Sequence, residues 1–518
     1  MTLTADVLVA GGGPAATWAA LKAAESGASV VLADKGYCGT SGATASGGTG
    51  VWYVPPEPEA REAAMASREA LGGYLADRRW MARVLDETYE RVNELAEAAR
   101  YPFPVGPDGT SLRTGLQGPE YMRRQRIRVK RAGVTILDHS PVTELLTAAD
   151  GAVAGAAGYR RQADRAFEVR AGAVVVATGG CAFLSKALGC NVNTGDGALL
   201  AAEVGAELSG MEFSNAYGIA PEHTSVTKTA FYNYATFYRA NGEVLEGAGS
   251  QRGRSVIART LLSEKVFCKL DLAGDAAQRA MRLAQPNFFL TFDRLGVNPF
   301  TDPFAVTLLA EGTVRGTGGI RIVDDGCATT VPGLYAAGDA ATRELICGGF
   351  TGGGSHNAAW AISSGSWAGR AAAEFARSLG SGARQVSAAG GAGLRPTGRS
   401  SDVDVAEVVR TVQAEVLPYD KNYLRHGDVL RAALRELDGV WVSVRGGLRT
   451  EGAAVLPARQ AAAMLAHARW MYTSALVRHE SRGMAKRLDH PELDPAQHHR
   501  ITSGGLDEVW ARPEGAAA

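Results

Sequence analysis

The chain has 518 residues, 54 Lys plus Arg against 54 Asp plus Glu, 46% hydrophobic residues and 64 glycines. That length suits about three domains of roughly 100–200 residues, each able to bury a core, which excludes a disordered protein. A net charge of zero gives no bulk attraction to nucleic acid, no window reaches the ~18 apolar residues of a membrane span, and Asp6 interrupts the N-terminal apolar run before a secretory signal forms. A soluble, cytoplasmic protein without a nucleic-acid partner is expected.

Residues 6–10 predict a strand, 11–13 a tight glycine turn, the Ala-rich run to about 25 a helix, and 28–33 a second strand. One βαβ unit follows, with parallel strands and a right-handed crossover. Residues 60–100 and 119–131 carry helical spacing, 134–137 reads as a strand, a hairpin-like region runs to about 170, and 171–177 is a buried strand. From about 221 to 315 the pattern turns irregular, aromatic and Pro-interrupted, before GlyLeuTyrAlaAlaGlyAsp at 333–339 reads again as a sheet strand. A second domain is therefore expected inside the first. The Gly, Ser and Ala-rich stretch 379–404 reads as a linker and 405–488 as mostly helical. The expected class is α/β. A Rossmann-like domain is formed by 1–220 and 321–385, with an inserted α+β capping domain at 221–320 and a C-terminal helical domain and tail at 400–518.

Gly11, Gly13 and Ala16 fit GxGxxG/A directly after a strand, and Asp34 closes the next one. Glycines there let backbone approach a pyrophosphate at a helix N-terminus, while the carboxylate accepts hydrogen bonds from a ribose. This pattern predicts dinucleotide binding. The six cysteines carry no CxxC pair, so neither an iron–sulfur cluster nor a metal site is expected, and they read as small buried residues. AlaThrGlyGly at 177–180, ThrGlyAspGly at 194–197 and the Gly338–Asp339 turn add further Gly/Asp loops that a nicotinamide site would not need.

These motifs, in this order, resemble the flavoprotein subunits of the succinate dehydrogenase and fumarate reductase superfamily, which includes L-aspartate oxidase and the adenylylsulfate reductase alpha subunit. The likeness extends to GluSerArgGly at 480–483. It implies FAD as cofactor and a FAD-dependent oxidoreductase. Carried over by position, Gly11, Gly13, Pro14, Ala16, Asp34 and Lys35 would hold the ADP half, with Val142 beside the adenine. Thr40, Ser41, Gly42, Gly47 and Gly48 would lie along the flavin. Ala177, Thr178 and Gly179 form the loop after a buried strand, Asp196 would meet the pyrophosphate or ribityl region, and Gly338 and Asp339 the ribityl chain. Ser355, Asn357 and Ala358 would open a helix whose N–H groups face the flavin edge where negative charge gathers on reduction.

Departures from the resemblance are as informative. Gly42 stands where succinate dehydrogenases carry the histidine bonded to FAD, so non-covalent FAD is expected, with Cys38 the one alternative tether. Tyr217 replaces the first substrate-gripping histidine, ValArgGlyThr at 314–317 stands where the second should lie, and the gripping arginine would fall near Gly352. Simple succinate or fumarate turnover is therefore not expected. Arg254, in ArgSerValIleAlaArg at 254–259, resembles the family's proton-donating arginine. His356, in SerHisAsn at 355–357, is closer to the adenylylsulfate reductase pattern and would sit at the flavin. Arg254, Tyr217 and His356 are thus the candidate catalytic residues for a small-molecule substrate. The basic run 123–131 reads either as a solvated helix face or as a dock for an acidic, ferredoxin-type electron carrier. Alternatives left open are a non-catalytic FAD scaffold, an oxidase, and an adenylylsulfate-reductase-like flavoprotein working with a ferredoxin subunit.

Overall fold

The βαβ unit forms because residues 7–10 and 30–33 are apolar on both faces, as a sheet covered on both sides requires. The computed structural model describes residues 1–106, 108–227, 230–250, 252–350, 354–380, 384–398 and 403–516. Strands Thr135–Leu137, Val30–Ala33, Thr2–Ala10, Arg165–Val176 and Leu334–Ala336 lie side by side and parallel. Leu334–Ala336 pairs with Val174, Val175 and Val176, so the sheet is completed by chain that returns after a long excursion. Strands Val153–Arg160 and Val142–Ala148 extend it by antiparallel pairing.

At its far edge Val386–Ala388 pairs with Leu146–Ala148. The stretch read as a linker therefore contributes an edge strand, which three small or β-branched residues among glycines do not announce. Residues 381–383 and 399–402 of that stretch lie outside the described residues.

Helix Pro14–Glu25 starts with proline at its first turn, where the missing N–H costs nothing. The long helix Gly354–Ser378 packs directly on it. A Cβ at Gly369 would lie 2.2 Å from the Ala19 carbonyl oxygen, so only glycine allows the two backbones to come this close.

The inserted capping domain is built on an antiparallel sheet ordered Ala216–Pro221, Phe304–Glu311, Val266–Lys269, Thr236–Tyr238. Its core is aromatic. Phe231, Tyr232, Phe237, Phe288, Phe289 and Phe292 are buried together, so the aromatic segment noted in the sequence serves packing. The C-terminal helices Val405–Val416, Gly427–Gly447 and Val455–Val477 pack on the main core, the last of them buried on nearly every side. Among the described residues no helix is long and apolar enough to cross a membrane.

Candidate functional site

A cavity of about 630 Å³ runs along the C-terminal ends of the parallel strands, where α/β sheets bind ligands. Gly11, Gly13 and Pro14 line it, and helix Pro14–Glu25 opens there with no side-chain cap and no acidic residue in its first turn. Its uncapped N–H groups are suited to a phosphate. Asp34 lines the cavity, but its carboxylate also organises the next loop by accepting from Ser41 Oγ at 2.6 Å and Gly36 N at 3.1 Å. Burial raises its pKa against the opposing effect of those bonds.

Lys35 Nζ donates to Asp196 Oδ2 at 2.8 Å and to Thr194 Oγ1 at 3.0 Å, joining two motifs far apart in the chain. Asp339 is paired with the buried Arg343, and burial raises its pKa against the attraction of that guanidinium. Gly338 is clamped to the long helix. Its N–H donates to Ser364 Oγ at 2.9 Å, and its carbonyl accepts from Trp360 Nε1 at 3.0 Å.

Thr40, Ser41, Gly42, Gly48, Val142, Ala177, Thr178, Gly179, Asp196, Gly338, Asp339 and Asn357 also line the cavity. Four expected contacts are placed elsewhere. Ala16 is fully buried in the main core, Gly47 faces the Gln285 amide, the Ser355 carbonyl accepts from Trp52 N, and Ala358 packs with Trp18 and Ile362. His139, Arg161, Arg315 and Gln460 line the cavity without having been singled out. Gln460 sits on a helix whose sequence signal is burial alone. Arg315 lies in the 314–317 segment, where the resemblance signals only a missing histidine.

The three candidate catalytic residues are not brought together on this lining. Tyr217 is buried edge-on to Tyr419 and Tyr423, and its hydroxyl donates to the Val416 and Leu417 carbonyls at 2.9 and 3.1 Å. Arg254 is buried and donates to the carbonyls of Tyr217 at 2.8 Å and Ser250 at 2.6 Å. The pair ties the capping sheet to the C-terminal segment. His356 is buried with its ring centroid 4.7 Å from that of Trp52. The position near Gly352 lies outside the described residues.

The basic run is partly paired with the protein's own acids. Arg123 and Arg124 pair with Glu120, Arg126 with Asp138 and Arg128 with Glu94. Glu120 serves two arginines and Glu94 is shared with Lys22 and Arg91, so the run keeps part of its positive charge. All six cysteines are buried, and burial pushes the Cys38 thiol up to about 12, which leaves it a poor nucleophile.

Off the cavity lining, the C-terminal segment carries a buried charge cluster. Arg478 donates to Glu212 and Glu480, Arg482 donates to Glu480 and to the Gly73 carbonyl, and Glu344 accepts from Ser209 Oγ at 2.8 Å. GluSerArgGly at 480–483 thus works as a brace between chain ends. Burial, reinforced by Glu212, pushes Glu344 up to about 8. The folded state therefore holds a proton that the unfolded chain, at about 4.3, gives up. This stabilisation is complete below the unfolded value and is lost as pH rises through about 8. Unfolding at pH 5 and pH 9 checks it: Glu344→Gln is expected to flatten the decline by a few kcal/mol, about 1.4 per pH unit. An unchanged pH slope would refute the assignment.

Known proteins share both the sequence pattern and the fold. A model described as "FAD binding domain" matches residues 6–217, and one described as "Fumarate reductase flavoprotein C-term" matches 420–510. L-aspartate oxidase of Streptomyces coelicolor is 26% identical, over 95% of this chain and 90% of its own length. A fumarate reductase (CoM/CoB) chain of Methanothermobacter marburgensis is 26% identical, over 95% of both. A mutant FrdA chain of E. coli quinol fumarate reductase superposes with a TM-score of 0.82 at 20% identity, covering 99% of this chain and 97% of that one.

Proposed function

As this chain belongs to the succinate dehydrogenase and fumarate reductase flavoprotein superfamily and is an FAD-dependent oxidoreductase of that type, we propose that it binds FAD non-covalently and exchanges electrons with a small-molecule substrate other than succinate or fumarate. The residues present fit the cofactor. The glycine turn and uncapped helix start would take the pyrophosphate, the pocket around Lys35 and Val142 the adenosine end, and Asp339 and Asn357 the flavin end. When bound, FAD supplies a ring that accepts or delivers two electrons as a hydride.

Gly42 carries the non-covalent reading. Its φ is +92°, and a Cβ there would lie 2.7 Å from Pro14 Cδ, so this backbone is built to hold no side chain. Cys38 is buried and lies off the cavity lining. Neither position considered for a covalent link, Gly42 or Cys38, thus offers a group to bond the ring. After acid precipitation of purified protein, FAD is expected in the supernatant. Colour kept in the pellet would overturn non-covalent binding, and a protein that takes up no added FAD would overturn the cofactor assignment.

The excluded substrates follow from the same residues. A dicarboxylate clamp needs cationic or donor side chains at both ends of the ligand. Here Tyr217 spends its hydroxyl on main-chain carbonyls, and no histidine occurs in 314–317. In this reading Arg254 holds the capping strand in place, His356 packs the start of the long helix against Trp52, and the capping domain excludes water from the cleft. A flavoprotein reduced by substrate must pass its electrons on. With no CxxC pair in the chain, a separate carrier of the ferredoxin type is the proposed acceptor.

A further inference from the structure

Among the described residues three lysine or arginine side chains line the cavity, Lys35, Arg161 and Arg315. Lys35 is bound by Asp196 and Thr194, and Arg161 is solvent-exposed, with one long 3.5 Å bond to the Lys35 carbonyl. Arg315 is different. Among the described residues its guanidinium makes no hydrogen bond or salt bridge, although it ends the short helix Gly312–Arg315 in a partly buried position on the lining.

The segment that carries Arg315 is fixed. Asn357 Nδ2, from the first turn of the long helix, donates to the Val314 carbonyl at 2.9 Å. The buried Glu311, which starts this helix, raises the Arg315 pKa and so favours its charged form. Neighbouring carboxylates are occupied: Glu311 accepts from Thr227 Oγ1 at 2.6 Å, and Asp339 is paired with Arg343. What remains is a charged five-donor fork, matched in shape to a carboxylate or sulfonate, with its hydrogen bonds unmade in a site large enough to hold a ligand. No nitrogen of Arg315 is among the buried unsatisfied atoms, so its donors are open to the cavity and available to a ligand.

We infer that Arg315 is the substrate-anion receptor of this chain, taking a small carboxylate or sulfonate at the end of the cavity where the long helix begins. The inference rests on the reading that FAD occupies the remainder of the cavity. It also explains how a chain lacking the histidine clamp would still select a charged substrate: one guanidinium grips one anionic group, so a monoanion suffices.

The test uses FAD-loaded protein in its oxidised form, titrated with acetate, oxalate and methanesulfonate, with the flavin's visible absorption as readout. In the unaltered protein at least one probe should give a saturable spectral shift. Arg315→Gln should weaken that binding at least tenfold with FAD content unchanged, and Arg315→Lys should keep part of it. Thermal unfolding of both variants checks that they fold, and the lysine variant serves if the glutamine one does not. An unchanged titration in Arg315→Gln, or no saturable shift with any probe, overturns the inference. Loss of FAD from Arg315→Gln also overturns it, because Arg315 would then hold the cofactor. Failure of the unaltered protein to take up FAD would instead sink the underlying reading.

Discussion

Replacing Glu480 with alanine is expected to cost the folded protein about 3 to 5 kcal/mol, the size seen when one partner of a buried ionic cluster is removed. Glu480 is fully buried and accepts from Arg478, from Arg482 and from the Asp494 N–H. Burial pushes its pKa up, but these bonds outweigh that effect and the net shift is downward. Without the carboxylate, two guanidiniums remain close together in the interior. Arg482 also donates to the Gly73 carbonyl at 2.6 Å, so the loop near residue 73 should loosen and become open to proteolysis. Urea unfolding measures the loss, and a change below about 1 kcal/mol would show that water already reaches the cluster.

Gly42→His, which restores the histidine of the covalent flavoproteins, is expected to remove FAD rather than bond it. The new side chain starts from a backbone at φ +92°, with Pro14 Cδ at 2.7 Å and Gly13 Cα at 2.9 Å from its Cβ. It must push into the glycine turn that would hold the pyrophosphate, and binding should weaken at least ~100-fold, about 2.8 kcal/mol at 1.4 kcal/mol per decade. The ratio of flavin to protein absorbance in purified protein checks this. Acid-stable flavin in the variant would mean that the turn yields and that the glycine is no obstacle.

Which features can be read from the sequence depends on how local their cause is. The glycine turn, Asp34 and the strands at 6–10 and 171–177 are written in short-range periodicity and spacing, and the structure places them on one cavity. The partners of Tyr217 and Arg254 are set by long-range packing: Tyr217 meets Val416 and Leu417, residues separated from it by most of the capping domain and more. No local pattern encodes that meeting. The basic run illustrates the same limit, because its charge is reduced partly within its own helix by Glu120 and partly by Glu94 and Asp138 on other elements. Arg315 escaped for a different reason. A single arginine after a strand carries no motif, and its significance appears only when its neighbours prove to be engaged elsewhere.

The return of Leu334–Ala336 to the sheet has a consequence for how the protein is made. During synthesis the glycine turn leaves the ribosome long before Asp339 and Asn357, so the nascent chain first presents half a cavity and an unpaired edge at Val174, Val175 and Val176. Until the capping domain has been traversed and the returning strand docks, that apolar edge is open to wrong partners. Cofactor capture is consequently a late event, and the ligand, by binding only the finished fold, draws the last step to completion.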